Sequence, residues 1–402
     1  MARRLRARAV PVPAGDPARL PHGRGPGHQG LPASPPRPDQ DEAPDRLVVD
    51  PAAARLRGPA AQAMIRIAVI GAGQWGPNLI RNFHNRRTSE VAWVVDRDAG
   101  RLAQVRERFP DIRVDTDAET VMADGRIDAV VIATPTSTHH ALAKRALGVG
   151  KHVLVEKPIT ADSAEAEELC SLAAQAGRIL MVGHVFVYNP GVQHVKQLLA
   201  AGELGRVYYV SMVRTNLGPI RVDVNAAWDL ASHDVSIANH WLGTAPLTAS
   251  AVGGSWINAG IEDAVFATLR YPNDVLVNLH ISWLSPRKTR EITLVGDRRM
   301  LTFDDMNLSE PVRVYDKRVT EVRTSAPYID SFASFRASLR EGDITIPKIA
   351  LGEPLKAECD HFLECIAGGK CPLTAGPEAL TVVRALEAIQ RSIRGAGHEE
   401  PV

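Results

Sequence analysis

The chain has 402 residues, of which 45% are hydrophobic, and its formal net charge is only +1. Such a balance argues against nucleic acid or an anionic membrane as the main partner. The length and apolar content suffice for two domains with separate cores. No apolar run reaches the roughly 18 residues that a membrane-spanning helix needs, so the sequence predicts no membrane span.

Residues 1–63 differ in composition from the rest of the chain. They contain 12 of the 28 prolines and ten arginines, but no lysine and no aromatic residue. Such a segment cannot bury enough apolar surface to offset the entropy lost on ordering, so we predict a disordered extension. The arginines also fit a transit peptide or a twin-arginine signal, but no apolar segment follows them. Because the sequence from Met64 reads like the start of a folded protein, we expect an over-extended gene start.

From Met64 onward, short β-rich runs alternate with helix-like segments, including helices at Thr138–Gly148 and Ser163–Ala176. The fourth run is nearly all apolar, as expected for a strand that is buried on both faces. The alternation predicts an α/β fold, with a doubly wound parallel sheet of the Rossmann type over residues 64–184. The predicted strands are Ile65–Ile70, Val91–Asp96, Ile112–Val114, Ile127–Thr134, His152–Pro158 and Ile179–His184.

After His184 the pattern changes to longer strands joined by turns, which predicts an α+β domain with a large, mostly antiparallel open sheet over residues 185–402. Because such a sheet needs its apolar face covered, we expect a homo-oligomer, either a dimer or a tetramer. Helices are predicted at Val192–Ala201, Pro354–Gly368 and Pro377–Gly395. The predicted strands are Arg206–Thr215, Pro246–Trp256, Ala264–Tyr271, Val275–Trp283 and Arg290–Val295.

The segment GAGQWG follows the first strand and places glycines at Gly71, Gly73 and Gly76. Glycines at this spacing allow a tight turn and a close approach of the backbone to a pyrophosphate, which the next helix N-terminus binds. Asp96 ends the second strand and can accept hydrogen bonds from an adenosine ribose. Its charge favours NAD over NADP, although the neighbouring Arg97 is able to cover a 2′-phosphate.

Lys157 lies in the sequence EKP at the carboxyl end of the fifth strand, where open α/β sheets bind ligands. Burial or nearby cations would lower its pKa from about 10.4 toward the range that is useful for proton transfer. Sequence position alone leaves a second interpretation open, in which Lys157 is a surface residue beside an exposed Glu156.

In the segment WDLASHD, Asp229 and His233 are four residues apart, which places them on one face of a helix. An aspartate beside a histidine fixes the tautomer of the ring and raises its pKa, and so produces a competent general base. An ordinary pair on a helix surface has the same spacing. His240 continues the same face, and we interpret it as structural.

Four cysteines occur in the chain, and none of them forms a CxxC pair, so we expect no metal site. A few unpaired thiols in a chain of this size are typical of a reducing compartment, which favours the cytoplasm. The cysteines are Cys170, Cys359, Cys365 and Cys371.

Together these segments resemble the Gfo/Idh/MocA family of oxidoreductases from about Met64 to Gly395. The resemblance rests on GAGQWG, ATPTSTHH, EKPIT, NPGVQHVKQLLAAGELGRV and WDLASHD. It implies that Lys157 and His233 act on the reacting alcohol, and that Asp229 contacts the substrate or the histidine. The cofactor-binding residues that follow from the motifs and the resemblance are Gly71, Gly73, Gln74, Trp75, Gly76, Asp96, Arg97, Thr134, Pro135, Thr138, His139, Glu156 and Lys157.

The segment RTNLGPIRVDVNAAWDL is similar to family members that act on nucleotide-linked sugars, such as UDP-N-acetylglucosamine at C3. Arginines and asparagines there can hold a diphosphate and sugar hydroxyls. In the alternative interpretation, the arginines are solvated strand residues. The candidate substrate-binding residues are Tyr188, Asn189, Arg214, Asn216, Arg221 and Asn225.

These assignments predict an NAD-dependent dehydrogenase of a secondary sugar hydroxyl, at C3 of a nucleotide sugar. Hydride would pass between that carbon and nicotinamide C4, with a Lys/His proton relay. Three alternatives stay open: a polyol or inositol dehydrogenase, an NAD-dependent glycosidase of the same family, and a catalytically silent NAD-binding regulator. Neither nucleic acid, nor membrane, nor metal is expected as a partner.

Overall fold

The structure, a computed structural model, describes residues 64–319 and 339–402. The predicted disordered extension at residues 1–63 lies outside this range. Within the described ranges, no helix combines the length and apolar character needed to cross a membrane.

A sheet of six parallel strands occupies the first part of the described chain. The strands are β1 (Ile65–Ile70), β2 (Ser89–Val95), β3 (Arg113–Asp115), β4 (Ala129–Ile132), β5 (His152–Glu156) and β6 (Leu180–Gly183). Their order in the sheet is β3-β2-β1-β4-β5-β6, which confirms the predicted doubly wound fold. Because the strand order reverses between β1 and β4, the carboxyl ends of these two strands form a crevice in which such folds bind ligands.

Helices cover both faces of this sheet, and every residue of β4 is buried as predicted. The helices are α1 (Gly76–His84), α2 (Ala99–Arg108), α3 (Glu119–Ala123), α4 (His139–Gly148) and α5 (Ser163–Ala176). The sequence analysis missed α3, because a five-residue helix is too short to show a helical period. Local signals fix α5: the Asp162 side chain accepts hydrogen bonds from two amides of its first turn, and Gly177 ends it in the left-handed region.

A second sheet of nine strands follows, and it is mostly antiparallel as predicted. Among the described residues, its one parallel pair joins the strands at Val207–Leu217 and Leu276–Ser282. Its strands are β7 (Val207–Leu217), β8 (Thr248–Gly254), β9 (Ala264–Arg270), β10 (Leu276–Ser282), β11 (Leu284–Gly296), β12 (Met300–Asp304), β13 (Val312–Val319), β14 (Leu339–Thr345) and β15 (Glu400–Pro401). They lie in the order β14-β13-β12-β11-β7-β10-β9-β8-β15. The sequence analysis missed β12 to β15; β15 has two residues and carries no alternation that a pattern search could find.

Four more helices pack against the two sheets: α6 (Pro190–Ala200), α7 (Ser232–Leu242), α8 (Pro354–Gly368) and α9 (Gly376–Arg394). Helix α9 belongs to both cores, because Leu386 and Ile389 pack with the second sheet while Leu380 packs with the first. Helix α8 returns to the first sheet and packs on α1, with Phe362 edge-to-face against Phe83. The proposed domain limit after residue 184 stays a prediction.

The contact between α8 and α1 gives the first testable prediction. Phe362 is fully buried, so Phe362→Ala should lower the free energy of unfolding by about 3–5 kcal/mol through lost burial and a cavity. Chemical denaturation measures this loss. Leu217→Ala, at a side chain that is 73% exposed, is the control and should change stability little. Equal effects of the two substitutions would show that α8 is not part of this core.

Candidate active site

The GAGQWG loop is shaped by two glycines that no other residue can replace without strain. Gly71 has a φ of +103°, and a Cβ on it would lie 2.4 Å from the Ala133 carbonyl oxygen. A Cβ on Gly76 would lie 2.1 Å from the Gly71 carbonyl oxygen. Helix α1 begins within this turn at Gly76, and no side chain caps its N-terminus. Pro77 has no amide hydrogen, and the Asn78 amide donates to the Trp75 carbonyl oxygen. The loop therefore leaves room for a pyrophosphate to approach the uncapped end of α1.

Asp96 follows β2 and closes this loop from the side. Its carboxylate accepts a 2.7 Å hydrogen bond from the Ala72 amide and a 2.8 Å hydrogen bond from the Asp98 amide. Each carboxylate oxygen keeps a further lone pair for a ribose hydroxyl. Arg101, which the sequence analysis missed, lies 3.5 Å from Asp96, whereas the Arg97 residue is exposed. No signal in the sequence points to Arg101, because its closeness to Asp96 depends on how the first turn of α2 lies against the loop.

The segment after β4 is braced against the segment after β5 by a buried histidine. Thr134 and Thr138 share a 2.7 Å hydrogen bond between their hydroxyls. The ring nitrogens of His139 each lie 2.9 Å from a carbonyl oxygen, one of Pro158 and the other of Thr134. Because both nitrogens are used inside the protein, His139 positions the loop over the cofactor cleft and offers no nitrogen to a cofactor. The predicted direct role of His139 is therefore corrected to a positioning role.

Lys157 is buried at the end of β5 and reaches the second half of the chain. Its side chain is 13% exposed, and its ammonium donates a 2.8 Å hydrogen bond to the backbone oxygen of Asp229. The nearer carboxylate oxygen of Asp229 is 3.5 Å away. Burial lowers the pKa of Lys157, while the charges of Asp229 and Glu156 oppose that shift. Lys157 is thus a buried group poised for proton exchange, and the interpretation as a surface lysine is wrong.

Glu156, the last residue of β5, precedes Lys157 and also has a shifted pKa. Burial raises the pKa of Glu156 to about 7, against the lowering effect of the Lys157 ammonium. On α8, the buried carboxyl of Glu358 has its pKa raised well above the usual range, first by burial and then by the charge of Glu156. Two carboxyls that face each other in an apolar setting cannot both be ionised cheaply.

Asp229 does not orient His233, contrary to the expectation from the four-residue spacing. Residues Ala227–Ala231 form a π-helical turn before α7, and a turn of this kind rotates Asp229 away from the face that a regular helix would give it. The Asp229 carboxylate instead meets Arg221 at 3.3 Å and accepts a 3.2 Å hydrogen bond from the Trp283 indole nitrogen. Asp229 therefore positions Lys157.

His233 lies in the first turn of α7, and its ring stands edge-on to Phe186 with centroids 4.7 Å apart. Within the described ranges, its Nδ1 has no hydrogen-bond partner. Burial, followed by the charges of Lys157 and Arg214, lowers the pKa of His233 well below 6.5. The expectation that Asp229 raises the pKa of His233 is therefore wrong; at neutral pH the ring is uncharged, and one of its nitrogens carries no proton.

In three of the six candidate substrate-binding residues, the polar groups of the side chain bond to other groups of the protein. The Arg214 guanidinium is buried in an ion pair with Asp234, 2.7 Å away. The Tyr188 hydroxyl is 3.0 Å from the hydroxyl of Thr374, and the Asn225 amide bonds to neighbouring side chains and caps the π-helical turn. These polar groups are bonded inside the protein, and contact of these three residues with a substrate stays a prediction.

The other three candidates stay accessible to a ligand. Arg221 is half-exposed next to Asp229, and Asn216 is half-buried on β7. Asn189 caps α6 and donates to Asp305, and it lines a separate cavity of about 470 Å³ together with Phe186. Arg221, which contacts Asp229, is therefore the candidate that the structure places beside Lys157, and the role of Asn216 stays a prediction.

Metal ligation finds no support within residues 64–319 and 339–402. No group of three or more His, Cys, Asp or Glu side chains is arranged there to hold an ion. Among the predicted catalytic residues, the structure joins Lys157 to Asp229 by a hydrogen bond, and His233 follows four residues later.

The fold and site define a nucleotide-dependent oxidoreductase of the Rossmann class. The missing Cβ atoms of Gly71 and Gly76, the uncapped N-terminus of α1 and the acid at Asp96 fit NAD. The oxidoreductase family with an NAD-binding Rossmann fold, GFO_IDH_MocA, matches residues 65–184, and the GFO/IDH/MocA C-terminal domain matches residues 192–302. The chain belongs to the Gfo/Idh/MocA family and is an NAD-binding oxidoreductase.

Relatives in this family are named dehydrogenases. The UDP-N-acetylglucosamine 3-dehydrogenase of Acidithiobacillus ferrooxidans is 28% identical over 323 residues, which cover 79% of this chain and 94% of that protein. The inositol 2-dehydrogenase 2 of Paenarthrobacter aurescens is 30% identical over 54% of this chain and 68% of its own length. A solved structure of the A. ferrooxidans enzyme, GnnA, superposes with a TM-score of 0.70 at 26% identity, over 83% of this chain and 98% of that one.

The two strained glycine positions give a prediction about cofactor binding. Gly76→Ala should weaken NAD binding by about tenfold or more, about 1.4 kcal/mol, because its Cβ collides with the Gly71 carbonyl. It should also lower the melting temperature of the cofactor-free protein. Titration calorimetry and thermal unfolding measure the two effects.

Gly73→Ala separates the shape of the loop from contact with the ligand. A Cβ on Gly73 meets nothing closer than 3.5 Å, so the cofactor-free protein should keep its stability while NAD binding still weakens. Gly125→Ala, where a Cβ meets nothing within 4 Å, is the matched control and should change neither property. Unchanged NAD affinity in both Gly73→Ala and Gly76→Ala would place the cofactor elsewhere.

Proposed function

We propose that this protein is an NAD-dependent dehydrogenase of a secondary sugar hydroxyl, at C3 of a nucleotide sugar. One observation carries the proposal: a buried lysine at the end of β5 is held by Asp229 and acts electrostatically on an uncharged histidine, His233. A lysine that hydrogen-bonds an alcohol oxygen and a neutral imidazole that takes its proton are what such an oxidation requires.

The protein residues handle the proton and the geometry, while bound NAD⁺ supplies the hydride acceptor. His233 accepts the hydroxyl proton at its ring nitrogen. Lys157 donates a hydrogen bond to the same oxygen and stabilises the negative charge that develops there. Asp229 keeps the ammonium in place through its backbone oxygen, and Trp283 fixes the carboxylate of Asp229.

The preference for a nucleotide sugar draws on two kinds of support. The A. ferrooxidans relative, which aligns along most of this chain, is named for activity on UDP-N-acetylglucosamine. In this chain, Arg221 keeps part of its guanidinium exposed beside the reactive groups, and arginine is well suited to bind a diphosphate. An inositol is the second candidate substrate, since the P. aurescens relative is an inositol 2-dehydrogenase.

The outer face of the second sheet supports the proposed homo-oligomer. Phe266 is 49% exposed at the centre of this face and stacks on His280 with centroids 4.7 Å apart. Val252 is paired with Phe266 on the adjoining strand and is exposed too, and Leu276 and Tyr209 extend the same apolar patch. A second copy of the chain would remove these side chains from water. We further propose a cytoplasmic location, which the four free thiols support.

Removal of either reactive side chain tests the proposed chemistry. Lys157→Ala and His233→Ala should each lower kcat by about 10²-fold or more, while NAD affinity changes little. The double variant should lose far less kcat than the product of the two single losses, because groups that act on one oxygen work as a unit. The assay follows NADH absorbance with a panel of UDP-sugars, free sugars and inositols, and we expect the highest kcat/KM with a UDP-N-acetylhexosamine.

The controls separate chemistry from folding. Circular dichroism and NAD titration should show that both variants are folded and bind cofactor. His240→Ala changes another histidine of α7 and should keep turnover close to that of the wild type. The proposed roles are falsified if His233→Ala retains full kcat on a confirmed substrate. A clearly higher kcat/KM with an inositol would make inositol, and not a nucleotide sugar, the proposed substrate.

The apolar patch on the second sheet gives a prediction on assembly. Phe266→Asp should convert the assembly to monomers in sedimentation velocity runs, because a charge would be buried at the centre of the interface. Val149→Asp is the control, since that partly exposed residue lies after α4 and away from the sheet. A wild type that sediments as a monomer at micromolar concentration would contradict the proposal.

A further inference from the structure

A second cavity lies behind the active-site helix α7. It has a volume of about 480 Å³ and is bounded by α7, α9 and the segment before α9. A cavity of this size holds several water molecules, provided that polar groups line it. Its polar lining includes His184, Ser236, Asn239, His240, Glu378 and Thr381.

His184 is the unusual member of this lining. The residue follows β6, is only 2% exposed, and has no hydrogen-bond partner at either ring nitrogen within the described ranges. Burying an imidazole without partners is unfavourable, so such a group calls for an explanation. Within the part of the chain that the structure describes, no hydrogen bond requires a polar ring at this position.

The sheet register places His184 beside Lys157, because the residues before them, Gly183 and Glu156, are paired between β6 and β5. Two residues after His184, the Phe186 ring packs edge-on against His233. Burial, followed by the Lys157 charge, lowers the pKa of His184 to about 3, and His184 in turn lowers the pKa of His233. The charged or titratable groups around it are Lys157 after β5 and His233 on α7, with His240 and Glu378 along the cavity. His184 therefore lies between the strand end that carries Lys157 and the cavity.

Oxidation of an alcohol releases a proton that must leave this buried site. The C–H bond breaks with its electron pair passing to NAD⁺ as hydride, and the O–H proton passes to His233. The products are a ketone, NADH and one proton, so the atoms and charges balance. Before the next turnover, the proton on His233 or Lys157 has to reach water, while substrate and cofactor cover the cleft.

We propose that His184 carries this proton from the Lys157–His233 pair into the cavity behind α7, where water accepts it. The inference rests on the proposed dehydrogenase function. A neutral imidazole accepts a proton on one nitrogen and releases another from its second nitrogen, so no charge accumulates beside Lys157. His184 is thus a proton-release residue that acts through His233 and does not touch the substrate.

The test compares proton release with hydride transfer in the full-length protein. Rapid mixing with NAD⁺ and sugar follows NADH by absorbance and released protons by a pH indicator dye. In the wild type the two signals should rise together. In His184→Phe and His184→Gln the first turnover of NADH should persist, while proton release lags by about tenfold or more, the lower range for a lost proton-transfer group. Imidazole added to His184→Ala should restore the rate of proton release.

His240→Gln is the matched control. His240 lines the same cavity, but its ring is 3.2 Å from the Gln193 amide and burial and Lys196, rather than Lys157, lower its pKa. This variant should release protons in step with NADH. A merely structural effect of His184 would instead lower NADH formation and proton release together, without rescue by imidazole, and that result would overturn the proposal.

A second arm of the experiment does not depend on the sugar. Mixing with NAD⁺ alone brings a positive nicotinamide near Lys157 and should displace a proton, while Trp75 fluorescence reports cofactor binding. The His184 variants should bind NAD⁺ at the wild-type rate and release this proton late. If the wild type oxidises no sugar, the proposed function fails but this arm still decides the role of His184. If His184→Phe and His184→Gln release the proton as fast as they bind NAD⁺, the proposed proton route through His184 is overturned.

Discussion

The hydrogen bond from Lys157 to the backbone oxygen of Asp229 is the contact on which the site depends, because it joins the two sheets at the reacting position. Lys157 comes from the end of a parallel strand, and Asp229 comes from the turn that precedes α7. That turn is π-helical, and the Asp229 carbonyl oxygen accepts hydrogen bonds from both Lys157 and the Ser232 hydroxyl. A local irregularity in one half therefore fixes the reactive group of the other.

Charge around this contact is balanced so that the groups stay reactive. Burial drives Lys157 toward its neutral form, while Asp229 and Glu156 restrain that shift. Burial first, and then the same cation, lowers the pKa of His233 and of His184, so both rings are uncharged at neutral pH. A stronger partner for Lys157 would fix its charge, and a weaker one would leave an unpaired cation in the interior.

Patterns that lie within a short stretch of chain were readable from the sequence, and contacts between distant stretches were not. The strand runs, the glycine turn and Lys157 are local signals, and the structure confirms the fold built from them. The pairing of Asp229 with His233 assumed a regular helix and is wrong because the turn is π-helical. The Asn225 amide donates hydrogen bonds to Glu262 and Gln390, which lie far along the chain, so no sequence spacing predicts these contacts.

Helix α9 packs into the cores of both sheets, and this double membership restricts how the molecule can move. A rigid-body hinge that opened the cleft between the sheets would pull Leu380 or Leu386 out of its core, at a cost comparable to a large core truncation. Admission and release of ligands therefore fall to the surface segments around the cleft, such as the one that carries Arg221. Helix α9 thereby acts as a fixed spacer between the two sheets.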